Sequence, residues 1–157
     1  MKPGTFTQMY VQVVFAVYKR ENILNKNIQA RIFEYICGIL KDLGHKPIAV
    51  NGISDHIHIL FGLNPNKSIS DTVHDIKRGS SLFINENELL PGRFSWQEGY
   101  GGFTYSRSQI DYVYKYIMNQ EKHHEGKTFR EEYRELLEEY DIKYDQRFLF
   151  EFYDVIA

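Results

Sequence analysis

The hydrophobic pattern of this chain changes period in a fixed order, and that order limits what it can fold into. Met9 to Val17 reads MYVQVVFAV, a run dominated by β-branched and aromatic residues that predicts a strand. From Ile28 to Leu43 the apolar residues Ile28, Ile32, Phe33, Ile36, Ile39, Leu40 and Leu43 recur at helical spacing, with Asn25 as cap and Gly44 as stop. Pro47 to Ile53 and Asp55 to Leu63 are short strands, close enough to pair as a hairpin. Pro65 breaks the second of them, and Ser68 or Ser70 caps another helix that runs to about Asn85. The loop-rich stretch from Leu90 to Tyr105 contains a fourth strand, near Phe94–Gln97 or Phe103–Tyr105. Ser108 then caps a third helix, Gln109 to His124, and Phe129 to Tyr140 forms a final amphipathic helix. Phe148 to Ile156 is aromatic and adds a strand or packs on the body.

Strand, helix, strand, strand, helix, strand is the order of the split βαβ unit. The expected class is α+β: a ferredoxin-like antiparallel sheet with helices on one face, plus a C-terminal helix. A chain of 157 residues suits one domain, with the core at about 7–125 and an extension at about 126–157. Such a sheet has exposed edges, and dimerisation is one way of covering them. At 43% hydrophobic and 25% charged residues, wholesale disorder is excluded. The one cysteine, Cys37, sits in an apolar helical pattern and reads as a small buried residue in a protein of the reducing cytoplasm. No run reaches the roughly 18 apolar residues of a membrane span, and the uncharged N-terminal stretch lacks a signal peptide's cleavage site.

His56-Ile57-His58 is the sharpest local feature. Residues i and i+2 of a strand share a face, so both imidazoles project together and could hold one metal ion; the alternative is two surface or capped histidines beside a hairpin turn. In the third helix Tyr116 and Gln120 are four apart and share a face. A tyrosine can be a covalent nucleophile, and a glutamine carbonyl suits a hard divalent cation. The alternative for Tyr116 is a half-buried core aromatic.

Together these residues resemble the HUH single-tyrosine transposases of small bacterial and archaeal insertion sequences. That resemblance rests on His56-Ile57-His58 followed by Ile59-Leu60-Phe61 and Pro65, then Lys77 near Gly79, Ser80 and Ser81, then Trp96 to Gly99-Tyr100, and last Tyr116-Ile117-Met118-Asn119-Gln120. It covers about Thr7 to Gln120. It implies an enzyme that cleaves and rejoins single-stranded DNA at hairpin-bearing element ends. His56, His58 and Gln120 would bind Mg²⁺ or Mn²⁺, and Tyr116 would form a 5′-phosphotyrosine intermediate. It also implies a homodimer with active sites shared between chains. No general base stands out; Asp55 qualifies only if the strand twists.

Candidate DNA contacts are Lys77, Arg78, Ser80 and Ser81 on the second helix, Arg93 and Arg107 beside the glycine loop, and Trp96 or Tyr100 as a base-stacking ring. The alternative is a solvated charged face with core aromatics. His45, His74, His123 and His124 read as surface residues. Two rival functions share the fold: a module that binds single strands without chemistry, and a host-tamed relative acting on dispersed hairpins. The overall charge of −2 looks unfavourable for nucleic acid, but it divides unevenly. Residues 1–120 hold 13 Lys and Arg against 10 Asp and Glu, a net +3, whereas residues 121–157 hold 6 against 11, a net −5. The acidic extension is expected to pack away from the DNA face or to limit access to it.

Overall fold

The computed structural model describes residues 3–19 and 24–154. Four strands, β1 (Tyr10–Ala16), β2 (Lys46–Gly52), β3 (His56–Gly62) and β4 (Gly101–Tyr105), form one antiparallel sheet in the order β2-β3-β1-β4. The helices are α1 (Lys26–Asp42), α2 (Ile69–Glu86), α3 (Ile110–Met118), α4 (Gln120–His123) and α5 (Phe129–Glu139). Strand order and the placement of α1 and α2 are those of the expected ferredoxin-like fold, while α3 packs on the opposite face of the sheet.

The caps act as the sequence predicts. Asn25 accepts from the Asn27 amide to start α1, and Ser68 accepts from the Asp71 amide to start α2. Gly44, at φ 81°, turns the chain out of α1. Cys37 is half-buried rather than a full core residue, because it lies at the margin of the α1 stripe whose buried members are Ile28, Ile32, Ile36 and Leu40.

Alternation along β3 divides the interior in two. Ile57, Ile59 and Phe61 join Val13 and Phe15 of β1 in the main core beneath α1 and α2. His56, His58 and Leu60 face the opposite side, where Leu60 meets Ile110, Val113 and Ile117 of α3. The register pairs His58 with Val14 and His56 with Ala16 of β1, so the His pair sits on β3, one of the two central strands, away from either sheet edge.

Of the two segments expected for the fourth strand, the second holds it, as Gly101–Tyr105, while Trp96 of the first forms only an isolated bridge with Val17; one helix boundary differs from expectation. The third helix is interrupted at Asn119, and it starts from a 3₁₀ turn, Arg107–Gln109, capped by Ser106 rather than Ser108. The interruption has a tertiary cause, since the Asn51 side-chain amide of β2 donates to the carbonyls of Ile117 and Met118 at 3.0 and 3.3 Å.

The C-terminal segment packs on the body. Phe150 and Phe152 surround Phe129 and Tyr133 of α5, and the residues through Asp154 form no strand. Residues 155 and 156 lie outside the described residues.

Candidate active site

β3 delivers both imidazoles to one pocket floor with zero exposure, and α5 closes over them with the Phe129 ring stacked on His56 at 3.8 Å between centroids. The centre of the pocket is Glu132 of α5, 1% exposed. Its Oε1 lies 3.1 Å from each of three imidazole nitrogens, the Nε2 atoms of His56, His58 and His124. Its Oε2 accepts from the Gln120 amide at 3.1 Å and from the Tyr116 hydroxyl. The Gln120 carbonyl oxygen turns toward His56 Nε2, 3.2 Å away.

Each histidine is oriented from behind. His56 Nδ1 donates to Asp55 Oδ1 at 2.8 Å, His58 Nδ1 to Gln12 Oε1 at 2.7 Å, and His124 Nδ1 to the Lys127 carbonyl at 2.6 Å. A carboxylate and carbonyls can only accept, so these bonds fix the hydrogen on Nδ1 and aim all three Nε2 atoms inward. Rings held in this way, each with a hydrogen-bond acceptor behind its Nδ1, are how proteins present imidazoles to a metal. His56, His58 and Glu132 form a buried group able to hold such an ion, and the donor set fits one.

The electrostatics follow from burial and this one carboxylate. Burial alone would lower the His56 imidazole, but hydrogen bonds to Asp55 and Glu132 outweigh it and raise the group to about 9. At His58 burial dominates and the pKa falls. Burial works against the Glu132 charge, yet His58, His124 and His56 together hold it well below the ordinary carboxylate range. The Tyr116 phenol is pushed up, first by burial and then by the Glu132 charge. It is therefore held protonated while it faces that carboxylate.

Against this geometry the sequence expectations divide. Tyr116, Gln120, His56 and His58 come together. The expected surface position of His124 is wrong: it has zero exposure, because α5 folds back over it. His45 is also buried, at 5% exposure, and bonds to Thr72 and to the Asn64 amide. His74 and His123 are exposed as expected. Sequence reasoning missed His124, Glu132 and the supporting Gln12. A signal existed: Tyr116, Gln120 and His124 are spaced by four, and Glu132 interrupts the apolar stripe Phe129, Tyr133, Leu136, Leu137 of α5.

The other candidate residues lie away from this pocket. Lys77 is half-buried over the Phe15 ring, donates to the carbonyls of Gln97 and Gly99 at 2.8 and 2.6 Å, and is lowered by burial to about 8. Ser80 is buried and donates to the Ile76 carbonyl at 2.6 Å. Trp96, 8% exposed, donates to Ser80 Oγ and meets Phe15 and Phe94 edge-on. Arg78, Arg93 and Arg107 are exposed. Arg78, His74 and Tyr100 border a surface groove between α2 and the glycine loop.

Residues 5–120 match the sequence model of the family described as IS200-like transposases. The chain belongs to that family. A curated relative, the ISDra2 transposase TnpA of Deinococcus radiodurans, is 25% identical over 122 residues, covering 74% of this chain and 87% of that protein. Two solved structures share the fold. One, assigned as a transposase from Deinococcus radiodurans, has a TM-score of 0.58 at 22% identity, covering 76% of this transposase-family chain and 96% of its own. The other is a REP-associated tyrosine transposase bound to a REP hairpin, with a TM-score of 0.57 at 14% identity, covering 79% and 74%. No helix among the described residues is long and apolar enough to cross a membrane.

Proposed function

We propose that this protein is a transposase that cleaves and rejoins single-stranded DNA through a covalent bond between Tyr116 and a 5′ phosphate. The observation that carries the reading is the convergence of Tyr116, Gln120, His56 and His58 on one buried carboxylate, in a chain of the IS200-like transposase family. Tyr116 is the nucleophile. Its oxygen forms the new bond to phosphorus as the bond from phosphorus to the 3′ oxygen breaks. The phenolic proton has an acceptor in Glu132 Oε2, and its transfer onward accounts for the proton of the free 3′-OH. His56, His58 and Gln120 would hold a divalent cation, Mg²⁺ or Mn²⁺. When bound, such an ion polarises the scissile phosphate and offsets charge on the departing oxygen. Asp55 and Gln12 keep the two imidazoles aimed at it. Because the phosphodiester energy is kept in the tyrosyl bond, a second 3′-OH reverses the step on a new strand.

A strand bearing a hairpin is the substrate this reading favours, with the exposed Arg78, Arg93 and Arg107 contacting phosphates. Its support is the REP-associated neighbour, whose structure contains a hairpin. The reading includes a homodimer joined at a sheet edge with active sites shared between chains. Mixing Tyr116→Phe with His58→Ala protein restores cleavage if the tyrosine acts across that dimer.

The deciding experiment combines the protein, a labelled oligonucleotide from the flanking element ends, and Mg²⁺ or Mn²⁺. A protein–DNA adduct that survives denaturation is expected, and chelation or Tyr116→Phe should remove it. An adduct formed by the Phe variant would overturn the choice of nucleophile. Binding without any cleavage would favour the catalytically silent or host-tamed alternative.

A further inference from the structure

We propose that the cavity between α3 and α5 is a nucleobase pocket. It takes the base of the nucleotide whose 5′ phosphate Tyr116 captures, a purine in preference to a pyrimidine. The proposal rests on the reading of Tyr116 as nucleophile and deepens it by naming what the site grips besides the phosphate.

The cavity has a volume of about 270 Å³. α3 lines it with Tyr112, Val113 and Tyr116, α5 with Leu136 and the following Tyr140, and β4 with Tyr105. Four of these six side chains are tyrosines. The α5 side lies beyond the stretch matched to the family, which ends at Gln120. The Tyr116 hydroxyl reaches Glu132 while its ring borders the cavity, so a phosphate bonded to that oxygen has its own nucleoside within reach of the pocket. In-line displacement puts the departing 3′ oxygen on the side of phosphorus opposite the attacking one. The nucleotide left beside the Tyr116 ring is therefore the one that keeps the phosphate.

The lining admits a base and turns away a phosphate. Lys127 is paired with Glu135 at 2.6 Å, and Glu139 adds a second carboxylate. One ammonium against two carboxylates repels a phosphate, whereas a neutral base brings no charge and stacks on aromatic rings. Tyr112 is 75% exposed, so its ring is open to a base without rearrangement. Gln12, 1% exposed, also borders the cavity; its Nε2 donates to the Tyr105 hydroxyl at 2.6 Å and its Oε1 accepts from His58. These bonds hold that side of the pocket in shape before a base arrives, which lowers the ordering cost of binding. The volume is below the roughly 300–1,000 Å³ of pockets for drug-sized ligands, so the pocket holds one base and not two. A purine presents the larger face to the rings, and stacking strength is what sets preference at such sites.

The test first maps the cut with the parent chain, Mg²⁺ or Mn²⁺ and the element-end oligonucleotide. Binding is then read apart from chemistry with the full-length Tyr116→Phe variant, which keeps the ring and removes the attacking oxygen. The probe is the same oligonucleotide with 2-aminopurine, a fluorescent purine, on one side of the mapped cut or the other. Fluorescence should be quenched at least twofold at the nucleotide on the 3′ side of the cut and not at its neighbour. Adding Tyr112→Ala, an exposed position that leaves the melting temperature unchanged, should weaken binding at least fivefold when that nucleotide carries a purine. The loss should vanish when the same nucleotide is abasic. In the parent, a pyrimidine there should lower kcat/KM at least fivefold. Quenching only at the neighbour, or an equal effect of Tyr112→Ala on purine and abasic strands, would overturn the proposal while the nucleophile reading stands. If the parent forms no adduct, both fall.

Discussion

The Tyr116 hydroxyl donates its hydrogen to Glu132 Oε2, while the other oxygen of that carboxylate faces His56 and His58. A residue outside the family-matched stretch thus joins the proposed nucleophile to the proposed metal ligands. Glu132 serves the phenol as proton acceptor and the imidazoles as counter-charge, and both roles follow from its place in the apolar stripe of α5.

Replacing Glu132 with alanine should be strongly destabilising in metal-free protein. It would leave His56, with a raised pKa, buried without one of its two acidic partners, and it would remove the acceptor from Tyr116 and Gln120. Breaking a buried charge network in this way costs about 3–5 kcal/mol. Urea unfolding of the metal-free parent and variant should show a lower midpoint with an unchanged slope.

Stability should also fall on the acid side through His45. Its Nδ1 accepts from the Asn64 amide and its Nε2 bonds to Thr72, so the fold needs the neutral ring. Burial lowers its pKa from the ordinary 6.5. Between those two values the unfolded chain binds more protons, so stability declines as pH drops below 6.5 and continues down to the lowered folded value. Thermal melts of the parent from pH 7 to pH 5 should show the decline, and His45→Gln should flatten the part of the curve that this ring contributes.

Gly52 should not tolerate a side chain. A Cβ there would lie 2.2 Å from the His56 carbonyl oxygen and 2.8 Å from Ile57 Cα, both backbone atoms. Gly52→Ala must move the start of β3, at a cost of about 3 kcal/mol, and carries His56 with it. A lower melting temperature accompanied by weaker metal binding is the expected pair of results.

Trp96 should behave chiefly as a core residue. Its ring is packed against Phe15 and Phe94, and its N–H is satisfied by Ser80. Trp96→Ala should cost about 3–5 kcal/mol. Trp96→Phe keeps an aromatic ring there and should cost about 1 kcal/mol for the lost hydrogen bond. If oligonucleotide affinity falls as steeply for Trp96→Phe as for Trp96→Ala while stability is retained, the indole is a DNA contact instead.

The sheet and its helices were legible because their signals are local. A period of two in MYVQVVFAV, a period near 3.6 in α1, and caps at Asn25 and Ser68 each state a conformation within a few residues. The break at Asn119 was not legible, because it is made by Asn51, sixty-odd residues earlier in the chain and in another element. The fourth strand was bracketed but not fixed, since both candidate segments are short and lie in one glycine-rich stretch.

Half of the site was legible on the same grounds. His56 and His58 share a strand face, and Tyr116 and Gln120 share a helix face, so local geometry pairs each couple. The sequence by itself determined the order of the elements, those two couples and the family to which they point. Only the tertiary structure decided that the couples meet on Glu132, that His124 turns inward to join them, and that Lys77 and Trp96 are tied into the body. Periodicity tells which side chains share a face. Which faces meet depends on how α5 packs across β3, and no spacing in the chain encodes that contact.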